Sequence, residues 1–345
     1  MTRRPTIADI AQAAGVSKGA VSYALNGRPG VSAATRERIL AIATEMGFVP
    51  NRAARSLSAS TAQAVGLALR RPARVLGLEP FFMELISGME SKLSAESFGL
   101  TIQLVVTQEE ELEVYRRWWA ERRVDGVLLC DLHVDDVRVE AVPALGLPAV
   151  AVGGPIESER LASVWHDDHE PCAEVLEYLY ALGHRRIARV AGLPHLLHTT
   201  YRDSGFGEAA ARLGLESFQS IHADYTGEQA ARITRRYLTS TPRPTAIVFD
   251  NDVMAIAGLG VAHELGIAVP EELSIVAWDD SPLCRLTHPT LTSLTRDVTA
   301  YGSRSAELLL ARLKDPAAAG AGPAPSIRCP TASLSPRGST GPAVA

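Results

Sequence analysis

Residues Gly15 to Gly27 read GVSKGAVSYALNG: a glycine, a serine, small and apolar residues at helical spacing, then Asn-Gly. A helix this short is marginal in water by itself, so its neighbours must hold it. Upstream, Thr6 is a good N-cap with Asp9 three residues on, a capping-box arrangement. Ile7, Ile10, Ala11 and Ala14 then recur on one helical face. Gly15 stops that helix and turns the chain without a Cβ clash. Ser17 caps the second helix, with Val21 and Leu25 inward, and Gly27, Pro29 and Gly30 end it. Ser32 caps a third helix, in which Ile39, Ile42, Ala43 and Met46 form the inward stripe and Gly47 closes. Two helices joined by Ala14-Gly15-Val16 fit a helix-turn-helix, with Val16 plugging the angle and small Ala11 and Ala20 allowing close approach. The second helix turns Ser17, Lys18, Gly19, Ser22, Tyr23 and Asn26 outward. One packed face and one free polar face suit a DNA major groove. An ordinary α-hairpin in a helical domain would show the same spacing.

Charge favours the first reading. Residues 1–60 hold eight Lys/Arg and three acids, a net +5, in a chain whose total is −5. A basic head on an acidic body points to a polyanionic partner for the head. In PNRAARSLSAST, residues 50–61, Asn51 can cap a two-turn helix that has no apolar stripe wide enough to dock. That helix needs an external partner, and Leu57 is otherwise a stray exposed residue. Ser58 to Thr61 reads as a linker.

The chain has 345 residues, 46% hydrophobic and 21% charged, which fits a soluble globular protein of two or three domains. No run of 18 apolar residues occurs, so no membrane span is expected. The start, MTRRPTIADIAQ, lacks the apolar segment of a secretory leader. Cys130, Cys172, Cys284 and Cys329 stand far apart, which suggests neither a zinc site nor a disulfide framework. A cytoplasmic location is expected.

From residue 62 onward, apolar runs alternate with helical stretches. Strands are predicted at 64–69, 100–106, 126–129, 149–152, 187–191, 246–249 and 274–277, and helices at 85–95, 172–181, 207–212 and 252–265. This alternation predicts doubly wound parallel sheets, with ligands at the carboxyl ends of strands. Asp250, Asn251 and Asp252 follow one strand, and Asp279 and Asp280 another. Asp252 fits ligand binding and helix capping equally well. Residues 315–325, DPAAAGAGPAP, read as a loop before the last strand.

Residues 6–58, TIADIAQAAGVSKGAVSYALNGRPGVSAATRERILAIATEMGFVPNRAARSLS, resemble the LacI/GalR-type family of bacterial transcription regulators without a gap. Further ordered resemblances are PFF at 80–82, LGHRRIA at 182–188, AIVFDND at 246–252, LGIAVPEELSIVAWDD at 265–280, HPTLTSL at 288–294 and PTASLSPRGST at 330–340. The resemblance implies three regions: a small all-α helix-turn-helix headpiece at 1–49, a hinge helix and linker at 50–61, and an α/β two-lobed periplasmic-binding-protein-like domain at 62–345, which binds effector and dimerises. The chain would cross between lobes near 163 and 292. It further implies that Lys18, Gly19 and Tyr23 read bases, that Thr6, Ser17, Ser22 and Asn26 meet phosphates, and that Asn51, Ala54 and Leu57 belong to a hinge helix in the minor groove. There Leu57 would wedge into a base step. Gly19 and Tyr23 depart from the commoner family pattern, and one bidentate base contact is worth about 1–3 kcal/mol of discrimination. For the cleft, the resemblance implies effector contacts from Arg202, Asn251 and Asp279, and an apolar wall from Phe81 and Phe82, for which a core role competes. Asp167 matches a structural acid at the lobe crossing. Gly153-Gly154 stands where several sugar-binding relatives carry an acid.

The expected protein is a dimeric repressor. It would bind a near-palindromic double-stranded operator and answer to a small-molecule effector, a sugar or sugar derivative. No metal and no cofactor are expected. A solute-binding protein without DNA function is opposed by the basic head and the missing leader. An enzyme is opposed by the lack of a nucleophile elbow, phosphate loop or metal-ligand spacing. GLG at 258–260 lies in a helical run and follows no strand, so it is no dinucleotide fingerprint.

Overall fold

The computed structural model describes residues 5–48, 61–71, 76–315 and 322–344. The expected hinge helix, with Asn51, Ala54 and Leu57, lies outside the described residues. Two compact units divide the chain, Met1–Ala62 and Gln63–Ala345.

The first unit contains α1 (Ile7–Ala14), α2 (Lys18–Leu25) and α3 (Ala33–Glu45). Thr6 and Asp9 form the capping box that starts α1, and Gly15 ends it at φ 62°. That left-handed turn lets the Val16 amide bond Ala11 O at 3.0 Å, which sets the chain's direction into α2. Ser17 Oγ accepts the Ala20 amide at 3.1 Å and so caps α2. Ile10, Val21 and Ile39 from the three helices meet in one fully buried cluster with Ala11, Ala14, Ala24 and Ala43, and Val16 packs against it. Arg38 of α3 donates to Ala14 O at 3.0 Å and so covers a carbonyl at the end of α1. Two-turn α2 is thus held by apolar contact on one side and by caps at its ends.

The second unit carries two six-stranded sheets. In chain order, the first lobe comprises β1 (Ala64–Leu69), α4 (Pro80–Ala95), β2 (Gly99–Leu104), α5 (Gln108–Ala120), β3 (Gly126–Leu129), α6 (Arg138–Ala144), β4 (Ala149–Val152) and β5 (Ala162–Trp165). The second comprises α7 (His169–Ala181), β6 (Arg186–Ala191), α8 (Leu197–Leu213), β7 (Ser217–His222), α9 (Gly227–Leu238), β8 (Ala246–Phe249), α10 (Asp252–Glu264), β9 (Ser274–Trp278), α11 (Leu283–Leu286) and β10 (Thr292–Thr295). The chain then returns to the first lobe as α12 (Val298–Lys314) and β11 (Ser326–Arg328), and ends in the second with β12 (Ser333–Ser335). The strand orders are β11-β5-β4-β3-β1-β2 and β12-β10-β9-β8-β6-β7. All pairings are parallel except β10 with β12. Segments 166–168, 296–297 and 329–332 therefore join the lobes.

The central strands are continuous apolar runs because both sheet faces are covered. Val65, Leu67, Val127, Leu128 and Val150 are fully buried in one lobe, as are Val190, Ile247, Val248, Phe249 and Ile275 in the other. Helices α4 and α12 cross at van der Waals distance. A Cβ on Gly88 would stand 2.0 Å from Thr299 O, and one on Gly302 2.1 Å from Leu85 O. This close crossing positions the segment that carries Arg296 and Tyr301 beneath the cleft. His184 is a buried anchor: its ring nitrogens meet Thr245 Oγ1 and Ser274 Oγ at 2.9 Å and Gly341 O at 3.1 Å, tying down the C-terminal segment.

Candidate nucleic-acid interface and ligand cleft

Packing of the first unit determines which side chains remain outside. Val21 and Ala24 of α2 are buried, while Ser17, Lys18, Gly19, Tyr23 and Asn26 are exposed and Ser22 is half-buried. Thr6, at the start of α1, is also exposed. Its hydroxyl both caps α1 and donates to Asp9 Oδ2 at 2.7 Å. Asn26 Nδ2 donates to Ser22 O at 2.9 Å, which fixes the amide at the end of α2. Tyr23 keeps 44% of its surface in solvent, unusual for a large aromatic with a small core at hand. Gly19 has room for a methyl group, since the nearest atom to an added Cβ is Ser17 Oγ at 3.7 Å. Internal packing therefore does not require a glycine there, although glycine costs a helix about 0.5–1 kcal/mol relative to alanine. Without a side chain at Gly19, the outer surface of α2 is open there to close approach.

The cleft forms where the carboxyl ends of the parallel strands of the two lobes face each other, where such sheets bind ligands. β1 leads to Arg71, β3 to Asp131, β4 to Gly153 and Gly154, and β5 to His166 and Asp168. β8 leads to Asp250 and β9 to Asp279. Phe81 and Phe82 at the start of α4 meet edge to face at 5.4 Å. Phe82 is a core residue, 1% exposed, and Phe81 is half-buried.

Buried charge here comes in arginine–carboxylate pairs. Arg71 grips Asp131 through both oxygens, at 2.7 and 3.2 Å. Arg202 bonds Asp168 at 3.0 Å and lies over the Trp278 ring at 3.8 Å. Arg296 bonds Asp279 at 2.8 Å and reaches Asp168 at 3.7 Å. Behind them, Arg189 holds both oxygens of Asp250 at 2.7 Å. Burial alone would raise the carboxyls of Asp131, Asp168 and Asp250, but the adjoining guanidinium groups win and hold all three below the usual range. They stay ionised, because an unpaired buried charge is far costlier than a paired one.

Other groups shift the opposite way. Burial pushes Glu79 up to about 7 against the pull of Arg71. Burial also brings His166 and His198 down to about 4, with Arg296 and Arg202 respectively adding to it. His198 Nε2 meets Tyr225 Oη at 2.8 Å. Tyr225 faces the first lobe with Arg71 above its ring at 4.8 Å.

Of the five effector residues expected from sequence, Phe81, Phe82, Arg202 and Asp279 line the cleft. Asn251 sits just behind the lining. Its Oδ1 caps α10 by accepting the Met254 amide at 2.8 Å, and its Nδ2 donates to Glu79 Oε1 and Tyr225 O, each at 3.3 Å. Asp167 lies in the first lobe-joining segment and pairs with Arg328 at 2.9 Å. Arg71, Glu79, Asp131, His166, Tyr225 and Arg296 were not foreseen. The strand-end rule applied to Asp250 and Asp279 would have reached Arg71 and Asp131, which follow the expected strands 64–69 and 126–129. The rest meet through distant chain segments. Among the described residues, no group of histidine, cysteine and acidic side chains could hold a metal ion.

Two family descriptions match the chain: "Bacterial regulatory proteins, lacI family" over residues 6–51 and "Periplasmic binding protein-like domain" over 176–340. The HTH-type transcriptional regulator CelR of Thermobifida fusca is 32% identical over 317 residues, covering 90% of this chain and 92% of CelR. The structure of a CelR–cellobiose complex superposes with a TM-score of 0.73 at 29% identity, covering 97% of this chain and all of that one. The lac repressor dimer bound to operator and the anti-inducer ONPF superposes with a TM-score of 0.82 at 25% identity, covering 98% and 100%. These likenesses span both units, including the helix-turn-helix and the two-lobed cleft. The chain belongs to the lacI family of bacterial regulatory proteins and is a DNA-binding transcriptional regulator, not an enzyme.

Proposed function

We propose that the protein is a cytoplasmic, dimeric repressor whose grip on a near-palindromic operator is set by a small sugar in the cleft, without a metal or cofactor. The observation that carries this reading is the pairing of an exposed polar α2 with a buried, charge-organised cleft on one chain. Lys18 donates to a guanine edge, Tyr23 and Gly19 shape the neighbouring contact, and Thr6, Ser17, Ser22 and Asn26 meet phosphates. Residues 51–58, with Asn51, Ala54 and Leu57, form the minor-groove element. The solved CelR–cellobiose complex supports a saccharide as effector. Phe81 and Phe82 supply its apolar wall, and Arg202 and Asp279 its polar contacts, with Asn251 bracing the wall.

Two copies per operator are supported by apolar side chains left in solvent. Strand β2 is an edge of its sheet. It and its continuation expose Ile102 (42%), Leu104 (39%) and Val106 (81%), and α4 exposes Met83 (57%). An exposed apolar edge strand in a native protein calls for a cover, and the lac repressor is solved as a dimer on its operator. A two-fold dimer reads a two-fold site. The effector acts by favouring one lobe arrangement over another. The test is to map genomic DNA retained by the purified protein, with and without cellobiose, beside a Lys18→Ala variant. A few near-palindromic sites, lost in the variant and shifted by the sugar, support the reading. Sequence-blind, salt-sensitive retention overturns it.

A further inference from the structure

With the arginine–carboxylate pairs accounted for, two buried polar atoms in the cleft lining have no hydrogen-bond partner among the described residues: Glu79 Oε2 and His166 Nε2. Both side chains are more than nine-tenths buried, at 7% exposure each. Their other polar atoms are committed. Glu79 Oε1 accepts from Asn251 Nδ2 of the second lobe at 3.3 Å. His166 Nδ1 lies 2.8 Å from Pro330 O. A carbonyl only accepts, so Nδ1 carries the proton and Nε2 is left with a lone pair. Burial keeps the ring neutral, and its T-shaped contact with Tyr301 at 4.4 Å fixes its direction. His166 Nε2 is therefore an acceptor, and Glu79 Oε2 is one once the carboxyl is ionised, above about pH 7. Arg71, Arg202 and Arg296, by contrast, already face Asp131, Asp168 and Asp279. An anion entering this cleft would find its cations taken and Glu79 in excess.

We infer that Glu79 and His166 are the specificity contacts of the cleft, accepting hydrogen bonds from a donor-rich, non-anionic ligand and rejecting carboxylated or phosphorylated ones. The inference rests on the cleft being the effector site and names the class of effector. A saccharide with free hydroxyls meets both acceptors and lays its C–H face on half-buried Phe81. Discrimination of this kind is strong because a ligand lacking the donor leaves a buried polar atom unpaired. The same cost acts on the empty closed cleft, so a fitting ligand favours closure.

The test uses the full-length protein in titration calorimetry at pH 8. The probes are cellobiose, the aldobiouronic acid made by oxidising its terminal hydroxymethyl group, and glucose 6-phosphate. Cellobiose should bind at least tenfold more tightly than either anion. Glu79→Gln keeps an acceptor for Asn251 and should weaken cellobiose about tenfold while narrowing its advantage over the acid. His166→Phe keeps the ring on Tyr301 and should weaken cellobiose similarly. An acid bound as tightly as cellobiose overturns the inference, and so do two variants that retain wild-type affinity and preference. If no saccharide binds, the sugar reading fails by itself. A thermal-shift panel of neutral, aminated, carboxylated and phosphorylated small molecules then decides this inference. Neutral or aminated hits lost in Glu79→Gln support it. Hits confined to anions, or no hits at all, overturn it.

Discussion

The headpiece and the cleft solve opposite problems. In the headpiece a few apolar residues hold three short helices together, and the residues proposed to read DNA, Lys18, Gly19, Tyr23 and their neighbours on α2, are what remains outside. In the cleft, function is inside, and each buried charge depends on another for its ionised form. Changes on α2 should therefore alter binding with little effect on folding, whereas breaking one of the cleft's buried arginine–carboxylate pairs should alter folding first.

The largest expected effect is at Asp250. Replacing it with alanine strands fully buried Arg189, whose only other carboxylate contact among the described residues is the half-exposed Asp203. Breaking one partner of a buried pair costs about 3–5 kcal/mol, to be read as a lowered denaturation midpoint of the second unit. An unchanged midpoint would mean that the pair is dispensable.

Glu79 gives a pH signature of somewhat smaller size. Its carboxyl rises from 4.5 to about 7 on folding, so the folded protein binds the proton more tightly than the unfolded chain does. Stability from this group is full below 4.5 and lost as pH rises through 7, by at most about 3 kcal/mol. His133, His166 and His198, each brought down to about 4 chiefly by burial, push stability the other way between 4 and 6.5. The informative quantity is therefore the wild-type stability minus that of Glu79→Gln, followed from pH 4.5 to 8. It should fall with pH, and a flat difference contradicts the assignment.

On the outer face, Lys18→Ala should leave the melting temperature unchanged and cost about 1–3 kcal/mol of operator binding, as loss of one base contact does. The smallest effect sharpens the contrast most. Gly19→Ala should stabilise the headpiece by about 0.5–1 kcal/mol while weakening operator binding, because the added methyl meets nothing inside the protein. A stabilised variant that binds DNA as well as the parent would show that α2 does not approach its partner closely there.

Legibility follows the same division. The headpiece could be read from sequence because its determinants are local: the Thr6/Asp9 box, Gly15, the Ser17 and Ser32 caps, and stripes at helical spacing. The buried strands at 64–69, 126–129, 149–152 and 246–249 match the sequence expectation to the residue, since continuous apolar runs bounded by polar ends have few other readings. Strand β2 runs 99–104 where 100–106 was expected. Helix α4 begins at Pro80 rather than 85, because proline at N1 needs no hydrogen bond and preorganises the turn. Helix α8 spans 197–213 rather than 207–212, as Gly205 and Gly207 interrupt the local signal of a helix that tertiary packing maintains. Strands β5, β7, β10 and β11 were not named. β7 is a half-polar edge, and β11 pairs with β5 across more than 160 residues of chain.

By itself, then, the sequence determined the three-helix head, its polar outer face, the alternation of strand and helix, and the family. Those features rest on spacing, capping and composition within a few turns of chain. Only the tertiary structure decided which arginine neutralises which acid, that Asn251 braces the cleft wall from behind, and that Glu79 and His166 keep one acceptor each. A buried charge is governed by what stands within a few ångströms of it, and here those neighbours come from chain segments up to 172 residues apart.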